Sequence, residues 1–119
     1  MVDCVVLDAN ALIMPFQFGL NLDAELARLL GEVKVVVPAS VIDELSNLDT
    51  REARAALTLA AKYEVVETSL CGDRGVLDVA ARKSAAVVTN DRELIALVNK
   101  MGLPVVRLRS GKYLVMSGD

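Results

Sequence analysis

The chain has 119 residues, 54% of them apolar and only 3% aromatic, with a net charge of −3. That length suits one domain over 1–119, with a core of Val, Leu, Ile and Ala, and no apolar run approaches the roughly 18 residues of a membrane span. Histidine is absent, which excludes a Ser-His-Asp triad, a Cys-His pair and a histidine-ligated zinc, so carboxylates, hydroxyls, lysines or a hard metal must do any chemistry.

The first residues, Met1-Val2-Asp3, lack the basic start and long apolar segment of a leader, and a cytoplasmic protein is expected. Cys4 and Cys71 lie in unrelated contexts and read as free, buried or half-buried thiols. Cys4 to Leu7 is the first strand pattern, and Asp8 stands at its C-terminal tip with Asn10 placed to cap the next turn. Only a short turn near Leu12 to Met14 is expected before a helix over 22–30. The strand Val33 to Val37 leads through Pro38 to a helix over 39–47, in which Val41, Ile42, Leu45 and Leu48 form the apolar stripe. At 100° per residue Glu44 falls on the border of that stripe and Asp43 points to solvent.

A helix over 51–62 and the strand Tyr63 to Val66 follow. Next comes a helix over 73–83, where Asp73 shares a face with Val76, Leu77 and Ala80 while Asp78 pairs with Arg82. The strand Ala85 to Val88 runs into Thr89-Asn90-Asp91 and a helix over 91–101. Asn90 is the expected N-cap there, with Glu93 closing a capping box, which leaves Asp91 without a local duty. Pro104 to Leu108 is the fifth strand, and Lys112 to Met116 adds a final one after the Ser110-Gly111 turn. Continuously apolar strands alternating with helices imply a parallel sheet covered on both faces.

Taken singly, Asp8 and Asp73 read as N-caps, Glu44 as a solvated helix residue and Asp91 as a turn residue. Jointly they stand at strand ends or helix starts that a parallel topology delivers to one sheet edge, where ligands of open α/β sheets bind. Two carboxylates roughly 4 Å apart repel by about 4 kcal/mol at an effective dielectric near 20, so four together must take up protons or hold cations. Oxygen-only ligands suit Mg²⁺ or Mn²⁺. An ion so held activates water and neutralises charge on a phosphodiester under in-line attack.

The segments VVLDANAL, PASVIDEL, GDRGVLDVAA and VVTNDREL, in that order from Val5 onward, resemble those of PIN-domain ribonucleases. The likeness is greatest to the archaeal branch related to ribosomal-RNA-processing factors, and toxin-type members share the pattern. The resemblance maps the family's acidic quartet onto Asp8, Glu44, Asp73 and Asp91 as catalytic metal ligands. It implies a three-layer α/β/α fold with strand order 3-2-1-4-5 and a small C-terminal hairpin, Mg²⁺- or Mn²⁺-dependent cleavage of single-stranded RNA, and a homodimer. An antitoxin or a ribosome-assembly factor is the implied partner. Arg74 stands where many relatives carry a second acid, which bears more on a two-ion site than on a one-ion site.

Residues 1–73 carry a charge of −7 and residues 74–112 carry +5, so the C-terminal third suits a polyanion or is simply solvated. Arg74 and Arg92, beside Asp73 and Asp91, are the first candidates for phosphate contact. Arg51, Arg54, Arg82, Lys83, Lys100, Arg107, Arg109 and Lys112 are the wider supply. Asn10, Thr89 and Asn90 are candidates for substrate or metal-bound water, and Phe16, Phe18 and Tyr113 for core or interface packing ahead of base stacking. The alternative reading is a non-catalytic RNA- or protein-binding PIN module. A receiver-type phosphoaspartate domain fits poorly, because Leu7 rather than an acid precedes Asp8.

Overall fold

In a computed structural model, residues 2–117 are described; Met1 and Asp119 lie outside them. Six strands form one sheet of order β3-β2-β1-β4-β5-β6: β1 (Cys4–Leu7), β2 (Lys34–Pro38), β3 (Glu64–Val66), β4 (Ala86–Val88), β5 (Val105–Arg109) and β6 (Tyr113–Ser117). The first five are mutually parallel, and β6 returns antiparallel to β5. Val5, Val6, Val36, Val37, Val87, Val88, Val105 and Val106 are fully buried, as strands covered on both faces must be.

Helices α1 (Ala9–Phe18), α2 (Leu22–Leu30), α3 (Ala39–Ser46), α4 (Arg51–Ala60), α5 (Gly72–Lys83) and α6 (Arg92–Lys100) complete a three-layer α/β/α arrangement. The chain steps from β1 to β2 in one direction and from β4 to β5 in the other. Right-handed crossovers therefore place α1 and α2 on one face and α6 on the other. The reversal falls between β1 and β4, which opens a crevice beyond their carboxyl ends.

Four local expectations are corrected. The short turn near Leu12 to Met14 is the ten-residue α1, which accommodates Pro15 and stops at left-handed Gly19, whose N–H donates to the Pro15 carbonyl. Burial of Ala11, Leu12 and Met14 outweighs the hydrogen bond that proline withholds. Leu48 lies past the end of α3 and is exposed, as is Cys71, although both cysteines are free. Phe16, Phe18 and Tyr113 are 45%, 50% and 40% exposed, so none belongs to the core.

Candidate active site

The β1–β4 register pairs Leu7 with Val88, so Asp8 emerges beside Thr89 at the crevice. Asp8 is the N-cap of α1: its Oδ1 accepts the Ala11 N–H at 2.7 Å, and the residue is almost wholly buried. Burial pushes its carboxyl up to about 7. The Thr89 hydroxyl and Ala11 N–H work against that rise, while the charges of Asp73 and Asp91 add to it. Asp8 at neutral pH is thus divided between its acid and carboxylate forms.

Asp91 does not lack a local duty, and Asn90 is not the cap. Asp91 Oδ1 accepts the N–H groups of Glu93 and Leu94 at 2.9 and 3.2 Å, starting α6. Asn90 instead binds the neighbouring strand, accepting the Leu108 N–H at 2.7 Å and donating to the Leu108 carbonyl at 3.4 Å. Asn10, expected to cap a turn, lies inside α1, and its Oδ1 accepts the Asn90 N–H at 2.8 Å. Thr89, a candidate for substrate contact, has no exposed surface. Its hydroxyl oxygen accepts the Asp91 N–H at 3.0 Å, so it orients the acids rather than reaching substrate.

Glu44 on α3 and Asp73 in the first turn of α5 complete the arrangement. Desolvation raises the Glu44 pKa, and the charges of Asp73 and Asp91 raise it further. Asp73 is raised in the same way, by desolvation first and then by Asp91 and Glu93. Asp8, Glu44 and Asp73 each therefore feel the charge of Asp91, and Asp8 and Glu44 that of Asp73 as well. Glu93 is a fifth acid that the sequence reading spent on a capping box; its spacing of two residues from Asp91 is the signal that could have flagged it. Asp78 faces away and pairs with Arg82 at 2.9 Å.

The five ion pairs among the described residues involve none of these acids. Nor do three such side chains, among the described residues, already stand close enough to enclose an ion. The donor chemistry nevertheless fits a hard divalent cation: the donors are all carboxylate oxygens, and among the described residues no ion pair engages them and only Oδ1 of Asp8 and of Asp91 accepts from backbone N–H groups. Arg74 and Arg92 are exposed at the rim and take no part in an ion pair among the described residues.

Over residues 5–111 the sequence matches the family described as PIN like domain. It is 32% identical over 118 residues to ribonuclease VapC9 of Archaeoglobus fulgidus, covering 93% of this chain and 87% of that protein. With ribonuclease VapC4 of Methanocaldococcus jannaschii it shares 29% identity over 126 residues, covering 96% of each. Among solved structures, the PIN domain endonuclease Utp24 has the same fold, with a TM-score of 0.85 at 21% identity over 98% of this chain and 92% of that one.

Proposed function

Because the chain belongs to the PIN like domain family, we propose that it is a Mg²⁺- or Mn²⁺-dependent endoribonuclease that hydrolyses phosphodiester bonds of single-stranded RNA. The observation that supports this reading is that the charge of Asp91 raises Asp8, Glu44 and Asp73 alike, while none of the four takes part in an ion pair among the described residues. The ribonuclease names of the two relatives support the substrate class.

In this reading the four carboxylates hold the ion. When bound, the ion supplies the Lewis acidity that activates water and offsets negative charge on the phosphodiester. The chain's own groups do the rest. Asp8, whose carboxyl lies near 7 in the metal-free chain, would give up its proton on holding the ion. Thr89 and the N–H groups of Ala11, Glu93 and Leu94 fix the carboxylates of Asp8 and Asp91 in place, so little reorganisation accompanies the reaction. Arg74 and Arg92 offer two charged hydrogen-bond donors to the phosphates on either side.

A homodimer, a cytoplasmic location, and an antitoxin or ribosome-assembly partner belong to the same proposal. No helix among the described residues is long and apolar enough to cross a membrane. The test is cleavage of a labelled single-stranded RNA by the purified chain with and without Mn²⁺. Cutting that needs the ion and disappears in Asp8→Asn is the expected result; equal cutting by both proteins would sink the reading. Sedimentation of the same preparation reads the oligomeric state.

A further inference from the structure

A cleft of about 410 Å³ runs between α3 and the segment 68–72 that leads into α5. Ser40, Asp43, Glu44 and Asn47 form one wall and Leu70 stands in the other. Glu44 belongs to this cleft and to the carboxylate crevice alike, and Gly72 at the cleft's end is followed by Asp73, so the two spaces adjoin. The segment opposite α3 is fixed: Thr68 Oγ1 donates to Asp78 at 2.8 Å and accepts the Leu70 N–H at 3.2 Å.

The lining chemistry decides what fits. No lysine or arginine lines the cleft and two carboxylates do, so a phosphate is repelled and a neutral group rich in N–H donors is favoured. Leu70, 42% exposed, offers an apolar surface for a flat ring. Asp43 and Asn47 stand one helical turn apart on α3 and its C-cap, so their polar ends address one ligand edge. A carboxylate accepts two parallel N–H bonds, and an amide presents both a donor and an acceptor.

Resting on the nuclease reading above, we propose that this cleft is a base pocket that selects guanine at one nucleotide next to the scissile phosphate. The guanine N1–H and N2 amine would donate to the Asp43 carboxylate and O6 would accept from the Asn47 amide. Uracil would turn carbonyl oxygens toward the same acid. Single-stranded RNA is read in this way, through the Watson–Crick edges of unstacked bases.

The test compares single-stranded oligonucleotides that differ only in carrying guanine, hypoxanthine, adenine or uracil at each position beside the cut. For the wild-type chain kcat/KM is expected to be at least tenfold higher with guanine than with uracil at one position, with hypoxanthine, which lacks the N2 amine, in between. Asp43→Asn and Asn47→Ala should cut that ratio below threefold and leave the uracil oligonucleotide within twofold. No preference at any position, or one unchanged in both variants, overturns the pocket. Fluorescence anisotropy with the same oligonucleotides on Asp8→Asn makes the comparison without cleavage. Equal affinity for guanine and uracil overturns the pocket, whereas discrimination without cleavage by the wild type supports it and overturns the nuclease reading.

Discussion

Asp8 Oδ1 accepts the Ala11 N–H at 2.7 Å, and its carboxyl, itself buried, feels the charges of the exposed Asp73 and Asp91. One side chain therefore serves as helix cap and as cluster member. Asparagine caps a helix as well as aspartate does, so Asp8→Asn keeps the first duty and loses the second. A carboxyl moved from 3.8 to about 7 opposes folding of the ionised form by up to roughly 4 kcal/mol. Denaturation at pH 8 without divalent ions should accordingly find Asp8→Asn more stable than the wild type by about 2–4 kcal/mol, though inactive. A loss of stability would contradict the burial described here.

The same shift fixes a pH dependence. The folded Asp8 carboxyl holds its proton up to about 7, whereas the unfolded one releases it near 3.8. Between those values the native state binds more protons, so stability is fully present below about 4 and is lost as pH rises through 7. Glu44 and Asp73, also raised, act in the same direction. Glu64, lowered by its hydrogen-bonded pair with Lys34, and Asp78, lowered by the Thr68 hydroxyl and then by Arg82, act oppositely: their stability is lost as pH falls below their unfolded values. Urea unfolding of the metal-free chain should become harder from pH 8 to 5 and easier again below about 4. Mn²⁺ at a hundred times its Kd should add about 2.7 kcal/mol at pH 8 and nothing to Asp8→Asn.

Gly75 in α5 faces Ser40 in α3 with no room between them. A Cβ at position 75 would lie 2.2 Å from Ser40 Oγ and 2.8 Å from the Leu70 carbonyl oxygen. Gly75→Ala should therefore destabilise by roughly 1–3 kcal/mol, despite the ~1 kcal/mol gain in helix propensity. Ser40→Ala removes a buried hydroxyl with no partner and should be neutral or stabilising by up to about 1 kcal/mol. The double variant should recover part of the Gly75→Ala loss, because the Leu70 oxygen remains. Strict additivity in a double-mutant cycle would mean that the two helices do not meet there.

The strands were legible because continuous Val runs follow from period alone, and Asp8 and Asp91 stand just past the ends of β1 and β4 as those runs place them; the strand order came only with the resemblance to PIN-domain ribonucleases. What escaped was settled by tertiary partners. Asn90 and Asp91 are both good caps, and local spacing favours Asn90. The carbonyl and N–H of Leu108, eighteen residues away, claim its amide and leave α6 to Asp91. Only a short turn was expected near Leu12 to Met14, yet the buried face of α1 carries a helix through Pro15 to Phe18. Glu93 was hidden for a related reason, since its capping-box role disappears once Asn90 is engaged elsewhere.

That engagement yields the last prediction. Asn90 ties the end of β4 to Leu108 of β5 through both of its amide atoms, and Asn10 holds the Asn90 N–H in turn. The three residues form a bracket across β1, β4 and β5 at the edge where Asp8 and Asp91 stand. Asn90→Ala leaves the Leu108 N–H and carbonyl without side-chain partners and should cost about 1–3 kcal/mol. Asn90→Asp retains an acceptor for the N–H, loses the donor, and adds a negative charge beside Asp91. It should be milder in stability at pH 8 than Asn90→Ala, and should alter Mn²⁺ affinity measured by calorimetry where Asn90→Ala alters mainly unfolding. Both variants losing stability equally, with Mn²⁺ binding untouched in each, would show that the bracket does not govern the placement of Asp91.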